Sequence, residues 1–267
     1  MKKQQLFPIL LIIVISFLYT GFATNNRSDK PKDLSEIKEL KIGWEQLPKY
    51  PYVYYLAQNK LGGYSYDMIQ AITAHHKIKV SNQTHTWTEC LKNLKNNQLD
   101  IVPDASVNKK EAEHFLMSDP LYETTQVFFY SKRKYKSPPE INSLKDMKNY
   151  KFLGIEGYHY DFYNNEINFK AKAKSRRHLI LSLKPGVYDF AIAQKEIILF
   201  LEKLNVLKLD NIGWIPDPVK KNRQYRALVR KNHPYASQLI SMINAGYLRM
   251  EQSGELKKLW KKNVDAF

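Results

Sequence analysis

The sequence predicts an α/β protein of two lobes around a cleft, each lobe a sheet sandwiched by helices. Three observations predict it. From Leu40 onward, short β-prone runs alternate with amphipathic helical stretches. The alternation breaks near Pro120 and then restarts. No period of roughly 20–50 residues underlies it, which excludes a solenoid or propeller.

The elements follow in order. Residues 40–44 (Leu-Lys-Ile-Gly-Trp) read as a strand. Residues 66–75 place Met68, Ile69, Ala71 and Ile72 on one helical face. Residues 80–87 alternate as a strand does, and 88–96 read as a helix with Leu91 and Leu94 inward. Asp100-Ile101-Val102 opens the next strand. This succession predicts a largely parallel sheet. The second run has strands at 126–130, 152–155, 190–193 and 225–229. Helices are predicted at 143–147, 179–183 and 197–204, with two more within 234–260. Clefts at the carboxyl ends of parallel strands, between lobes, are where ligands bind by default.

The start of the chain reads as an export signal. Lys2 and Lys3 precede a mostly apolar run over 6–19, and Gly21-Phe22-Ala23 supplies small residues for cleavage. A membrane anchor is the alternative, but the run is shorter than the ~20 apolar residues a spanning helix needs. A cleaved signal over 1–23, and a periplasmic location, are therefore expected. Residues 24–36 read as a polar leader. The one cysteine, Cys90, cannot close an internal disulfide and is expected to be a small buried apolar residue. The net charge is +16, from lysines scattered along the chain rather than gathered in blocks. Scatter and export both argue against nucleic acid and for a solvated basic surface. The seven histidines lack metal-ligand spacing such as H-E-x-x-H. No G-x-S-x-G elbow or Gly-rich phosphate loop occurs. No metal, no cofactor, no catalytic residue and a monomer are expected.

An ordered set of segments resembles the bacterial family 3 solute-binding proteins, the periplasmic proteins for polar amino acids. Leu40-Lys41-Ile42-Gly43-Trp44-Glu45 resembles the family's opening strand, and Tyr50-Pro51-Tyr52 its aromatic-proline loop. Gly63-Tyr64-Ser65-Tyr66-Asp67-Met68 is similar to the start of its first helix. Residues 87–100 resemble its tryptophan, helix and asparagine-x-x-aspartate stretch. Ser118-Asp119-Pro120-Leu121-Tyr122-Glu123 is similar to its hinge signature. Ser143-Leu144-Lys145-Asp146-Met147, Gly154-Ile155-Glu156-Gly157, Gly186-Val187-Tyr188-Asp189-Phe190-Ala191 and residues 254–260 match later segments. Each motif is weak alone, and the order gives them force. The resemblance implies the two-lobed type II binding-protein fold with two hinge crossovers. It places lobe one at 24–119 plus 225–267 and lobe two at 120–224. Pro120 restricts Asp119 to extended backbone, which suits a crossing strand.

The resemblance also implies two charged clamps for an amino acid. An arginine in a threonine-x-x-arginine helix start grips the carboxylate through its planar fork. An acid after the buried strand of lobe two grips the ammonium. Here those positions hold Glu111 and Gln194. Asn108 and Glu111 also have the spacing of a capping box, a structural alternative to ligand contact. Lys110 replaces the arginine if the helix start slips by one residue. Because Glu111 and Gln194 occupy the two clamp positions, ordinary α-amino acids are expected to bind weakly or not at all.

Other candidates follow from position. Glu45 ends the first strand, with a solvated loop carboxylate as the alternative. Trp44, Tyr50 and Tyr52 stack on a ligand or pack the lobe. Ser106 stands where the family supplies a hydroxyl, or else caps the loop. Gly157 with Tyr158 and His159 is expected to start a helix whose amides can face an anion. Trp87 is expected in the core.

The reading is a periplasmic binder of a small polar solute that closes about its hinge, serving an ABC-type permease. The alternatives are a sensing module and a dehydratase-type enzyme using Glu45 or Glu111 as acid or base.

Overall fold

The computed structural model describes residues 33–106, 112–164 and 166–265. The expected signal over 1–23, together with Lys110 and Glu111, lies outside the described residues.

Strand β1 (Glu39–Glu45) leads through a small hairpin, β2 (Tyr54–Tyr55) and β3 (Leu61–Gly62), into helix α1 (Tyr64–His75). β4 (Lys79–His85), α2 (Trp87–Lys95) and β5 (Val102–Ala105) follow. Helix α2 begins one residue before its predicted start because Thr86 and Glu89 form a capping box. Gly63 sets the entry to α1. Its φ of 120° and ψ of 165° suit glycine, and a Cβ there would stand 2.4 Å from the Tyr52 carbonyl oxygen. That same oxygen accepts the Ser65 amide at 2.9 Å.

After residue 112 come β6 (Phe115–Met117), β7 (Tyr122–Ser131), β8 (Phe152–Ile155), β9 (Phe169–Ala173) and helix α3 (Arg176–Leu183). Then follow β10 (Phe190–Gln194), α4 (Lys195–Lys203), β11 (Ile212–Pro216), β12 (Asn222–Arg230), α5 (Ala236–Gln252) and α6 (Glu255–Trp260). The predicted helix at 143–147 is a 3-10 turn, Lys145–Asn149.

β1 and β4 pair in parallel, and Ile42 bridges to Ile101. The larger sheet runs β5-β12-β7-β10-β8-β9, with β6 on β12 and β11 on β7. β8 is parallel to both β9 and β10. β7 and β12, however, are antiparallel to each other and to their other partners. The sheet is therefore mixed, where a largely parallel one was expected. The chain goes out along β7 and returns along β12, so those two strands must run opposed. Their first residues pair with one another, Tyr122 with Tyr225 and Thr125 with Asn222. Beyond that ladder, β7 joins β10 and β11 while β12 joins β5 and β6.

The cores follow the same division. Leu40, Ile42, Met68 and Ile72 pack with Leu239, Met242 and Ile243 of α5. Side chains tie the same segments: Asp67 accepts from Lys262 Nζ at 2.8 Å and Asn263 Nδ2 at 2.9 Å, and Asp100 meets His233 at 3.1 Å. Farther along, β7 buries both its faces. Val127 and Phe129 join Leu153, Leu179 and Ala191; Phe128 and Tyr130 join Phe152, Tyr163 and Phe190. Two-sided burial explains the unbroken apolar run that marked this strand in the sequence. Cys90 is buried beside Leu94 and Leu99, and burial pushes its thiol up to about 12. It is an unreactive packing residue.

Gly63→Ala should destabilise the protein by about 1–3 kcal/mol or more, since the glycine-only backbone conformation and the contact with Tyr52 add. Urea unfolding followed by circular dichroism measures the loss.

Candidate ligand-binding site

A pocket lies where β1, β5 and β8 end and β12 begins. The alternation of β1 sends Trp44 into the core, where its indole N–H donates to Asn82 Oδ1 at 2.8 Å, and turns Glu45 toward the pocket. The loop after Glu45 folds back so that Lys49 and Val53 exchange backbone hydrogen bonds. Lys49 thus returns beside Glu45, with 3.8 Å between ammonium and carboxylate. The ammonium also donates to the Asp104 carbonyl at 2.9 Å and sits 4.5 Å above the Tyr225 ring. Tyr225 stacks on Tyr122 at 4.7 Å, and Tyr122 on Tyr52 at 4.0 Å. A column of three rings therefore runs from the first core to the pocket, capped by a cation.

Glu45 is also the near end of a polar chain to the second core. The Tyr158 hydroxyl donates to Glu45 at 3.0 Å and accepts from Arg176 Nη2 at 2.8 Å. Arg176 Nη1 donates to the Pro48 carbonyl at 2.7 Å. Arg176 opens α3, whose cap Ser175 accepts the His178 amide. Burial, reinforced by Glu45, holds the Tyr158 hydroxyl protonated far above the usual tyrosine range. Burial alone would weaken Arg176 as a cation, but Tyr158 and Glu45 outweigh it and raise its pKa.

Asp104 sits near the end of β5 with φ at 56°, in the left-handed region. One carboxyl oxygen accepts from Ser65, and the other has no hydrogen-bond partner of good geometry. Burial raises the Asp104 pKa, against the opposing pull of Lys49 and Ser65. Across the pocket, Arg223 Nε donates to Ser106 Oγ at 3.1 Å and Nη1 reaches Gln126 Oε1 at 3.4 Å. Gln126 in turn donates to Asp217 at 2.9 Å and to Tyr163 at 2.8 Å. Trp87 and His159 complete the lining. The cavity measures about 30 Å³, room for two or three waters at the ~10–15 Å³ each requires.

Of the sequence-predicted residues, Glu45, Ser106, Tyr158 and His159 come together here. Trp44 and Tyr52 lie in the first core instead. Tyr50 stacks between Tyr54 and Phe200 and packs against the second core. Gln194 is buried at the end of β10 and does not line the pocket. No regular helix starts at Tyr158. Gly157 turns left-handed, and the backbone instead closes on Tyr160, whose hydroxyl accepts the Ile155 amide at 2.8 Å. The helix-terminal anion site expected there is not formed. Trp87 packs on the Cys90 cluster with one part and lines the pocket with another.

Sequence reasoning passed over Lys49, Asp104, Arg223, Tyr225 and Arg176. Arg223 had a signal: residues 223, 225, 227 and 229 are all buried on one face of β12, so the arginine extends an apolar face. Asp104 had one too, as an acid inside a β-prone run.

The model for bacterial extracellular solute-binding proteins, family 3, matches residues 40–266. The chain belongs to this family. The arginine-binding extracellular protein ArtP of Bacillus subtilis is 26% identical over 269 residues, covering 98% of each chain. Two solved structures have the same type II fold. A histidine kinase sensor domain similar to periplasmic binding proteins superposes with TM-score 0.70 at 18% identity, covering 85% of this chain and 96% of that one. The arginine-, lysine-, histidine-binding protein ArtJ of Geobacillus stearothermophilus gives TM-score 0.69 at 18% identity with the same coverages. Family 3 is an extracellular family by description. Among the described residues of this member, no helix is long and apolar enough to cross a membrane and no metal-binding cluster occurs.

Asp104→Asn should raise stability at neutral pH, because asparagine tolerates the same backbone and removes a buried charge. Asp104 is raised in the folded state, so its penalty is present above the folded pKa and fades as pH falls through it toward 3.8. The gap in urea midpoint between variant and wild type should therefore shrink on acidification.

Tyr158→Phe strips one partner from Arg176 and one from Glu45 at once. A loss of about 1–3 kcal/mol in equilibrium unfolding is expected.

Proposed function

We propose that this protein captures a small polar solute of amino-acid size in the pocket of Glu45, Asp104 and Arg223 and delivers it to an ABC-type permease. The observation that carries this reading is the pocket itself. It presents buried groups of both charge signs, drawn from either side of the β7–β12 crossing, within a solute-binding family. A zwitterion needs both signs, and a cavity of water size needs its walls to part before a solute enters. The lobes we assign are residues 24–119 with 225–267, and 120–224. They part and close about β7 and β12, a hinge motion. The protein works in the periplasm as a monomer and releases its solute unchanged.

The arginine binding in the name of the Bacillus subtilis relative supports an amino-acid-like solute. Glu111 and Gln194 at the family's clamp positions argue that the grip comes from other groups, and Arg223 and Asp104 are the groups at hand.

A thermal-shift screen with the twenty common L-amino acids, amines, opines, organic acids and small peptides tests the proposal. At least one solute should raise Tm by several degrees at a concentration well above its Kd. It should be recovered chemically intact. No shift from any class, or conversion of the solute, rejects the proposal.

A further inference from the structure

We infer that Arg223 grips a carboxylate of the solute, with Ser106 as a second donor, from a strand that the family pattern does not use for this purpose. The inference rests on the function proposed above and names the chemistry of one end of its ligand.

Three buried cations surround the pocket. Lys49 faces Glu45 and donates to the Asp104 carbonyl. Arg176 commits both terminal nitrogens, to Pro48 and Tyr158. Arg223 differs. It is 8% exposed, and its partners among the described residues are the neutral Ser106 hydroxyl and Gln126 amide. Among the described residues, no carboxylate lies within 4.0 Å of its guanidinium and Nη2 has no hydrogen-bond partner. A charge so far removed from water is costly unless an opposite charge meets it. Among the described residues, none engages Nη2 or takes the Ser106 hydroxyl proton, so both can meet one.

The surroundings hold the arginine in place without neutralising it. Asp217 stands behind Gln126, and its carboxylate is already engaged by Gln126, Tyr163 and the amides of Val219 and Lys220. Gln126 relays that orientation to Nη1. The Phe162 ring lies 5.8 Å from the guanidinium carbon. A singly charged carboxylate suits the site better than a phosphate, because Glu45 and Asp104 line the same small cavity and oppose further negative charge.

Isothermal titration tests this with each common L-amino acid or organic acid that binds the wild type, paired with the carboxamide of the same molecule. In the wild type the carboxamide should bind about 30-fold more weakly or worse. In Arg223→Gln the acid should weaken by a similar factor and the carboxamide barely change, so that the two affinities converge. Arg223→Lys keeps the charge without the fork and should fall between. If Arg223→Gln does not fold, the lysine variant and the wild-type pair still decide. Equal weakening of acid and carboxamide, or acid binding at wild-type strength in the variants, overturns the inference and leaves the proposed function standing. Capture of amines alone does the same. Capture of no solute by the wild type overturns both.

Discussion

Four residues of β7 pair antiparallel with four of β12, and past that short ladder the two strands part into different neighbourhoods of the sheet. The pocket is built on this ladder. Tyr122 and Tyr225 pair across it and stack their rings, and Lys49 caps the stack. Gln126 stands just beyond its β7 end, and Arg223 lies within its β12 half. Glu45 and Tyr158 meet over it from opposite cores. A small change of angle between the strands would move every one of these groups, as the proposed hinge motion about them requires.

The second constraint is the burial of charge. Glu45, Lys49, Asp104, Arg176 and Arg223 are all less than a tenth exposed. Each needs hydrogen bonds or an opposite charge to stay there. Glu45 and Lys49 find them in each other, in Tyr158 and in the Asp104 carbonyl, and Arg176 finds them in Tyr158 and the Pro48 carbonyl. Among the described residues Asp104 keeps one carboxyl oxygen without a partner and Arg223 meets no carboxylate, and each bears a local cost in the folded state. Such residues are found where function, rather than stability, sets the sequence.

Much of the fold was legible. Apolar periodicity located β1, α1, α3 and α4, because each buries one face against a continuous core. The mixed sheet was not legible, since strand direction depends on where the chain recrosses, and no local pattern encodes that. β9 was missed as well. Its sequence, Phe-Lys-Ala-Lys-Ala, alternates lysines on an edge strand and looks polar. In the site, position along strand ends led to Glu45, Ser106, Tyr158 and His159. Trp44 and Tyr52 lie in the first core, the other of the two places open to them, because their size fills a core as readily as it covers a ligand. Arg223 and Lys49 were missed for a common reason. Charged residues read as solvent-facing until the partner that buries them, drawn from far along the chain, is known.

The first core joins Leu40 near one end of the described chain to Leu256 near the other. The buried members of the other two large clusters all lie between residues 127 and 215. Contact order is therefore low in the middle of the molecule and high at its ends. On a growing chain the inner segment can pack while β1 and α1 wait, their apolar faces bare, for α5 to be made. Until then the unfinished sheet of β1 and β4 is the part most exposed to aggregation. The arrangement that sets β7 against β12 thus also leaves β1 and α1, made before the other described elements that cover them, among the last to be buried.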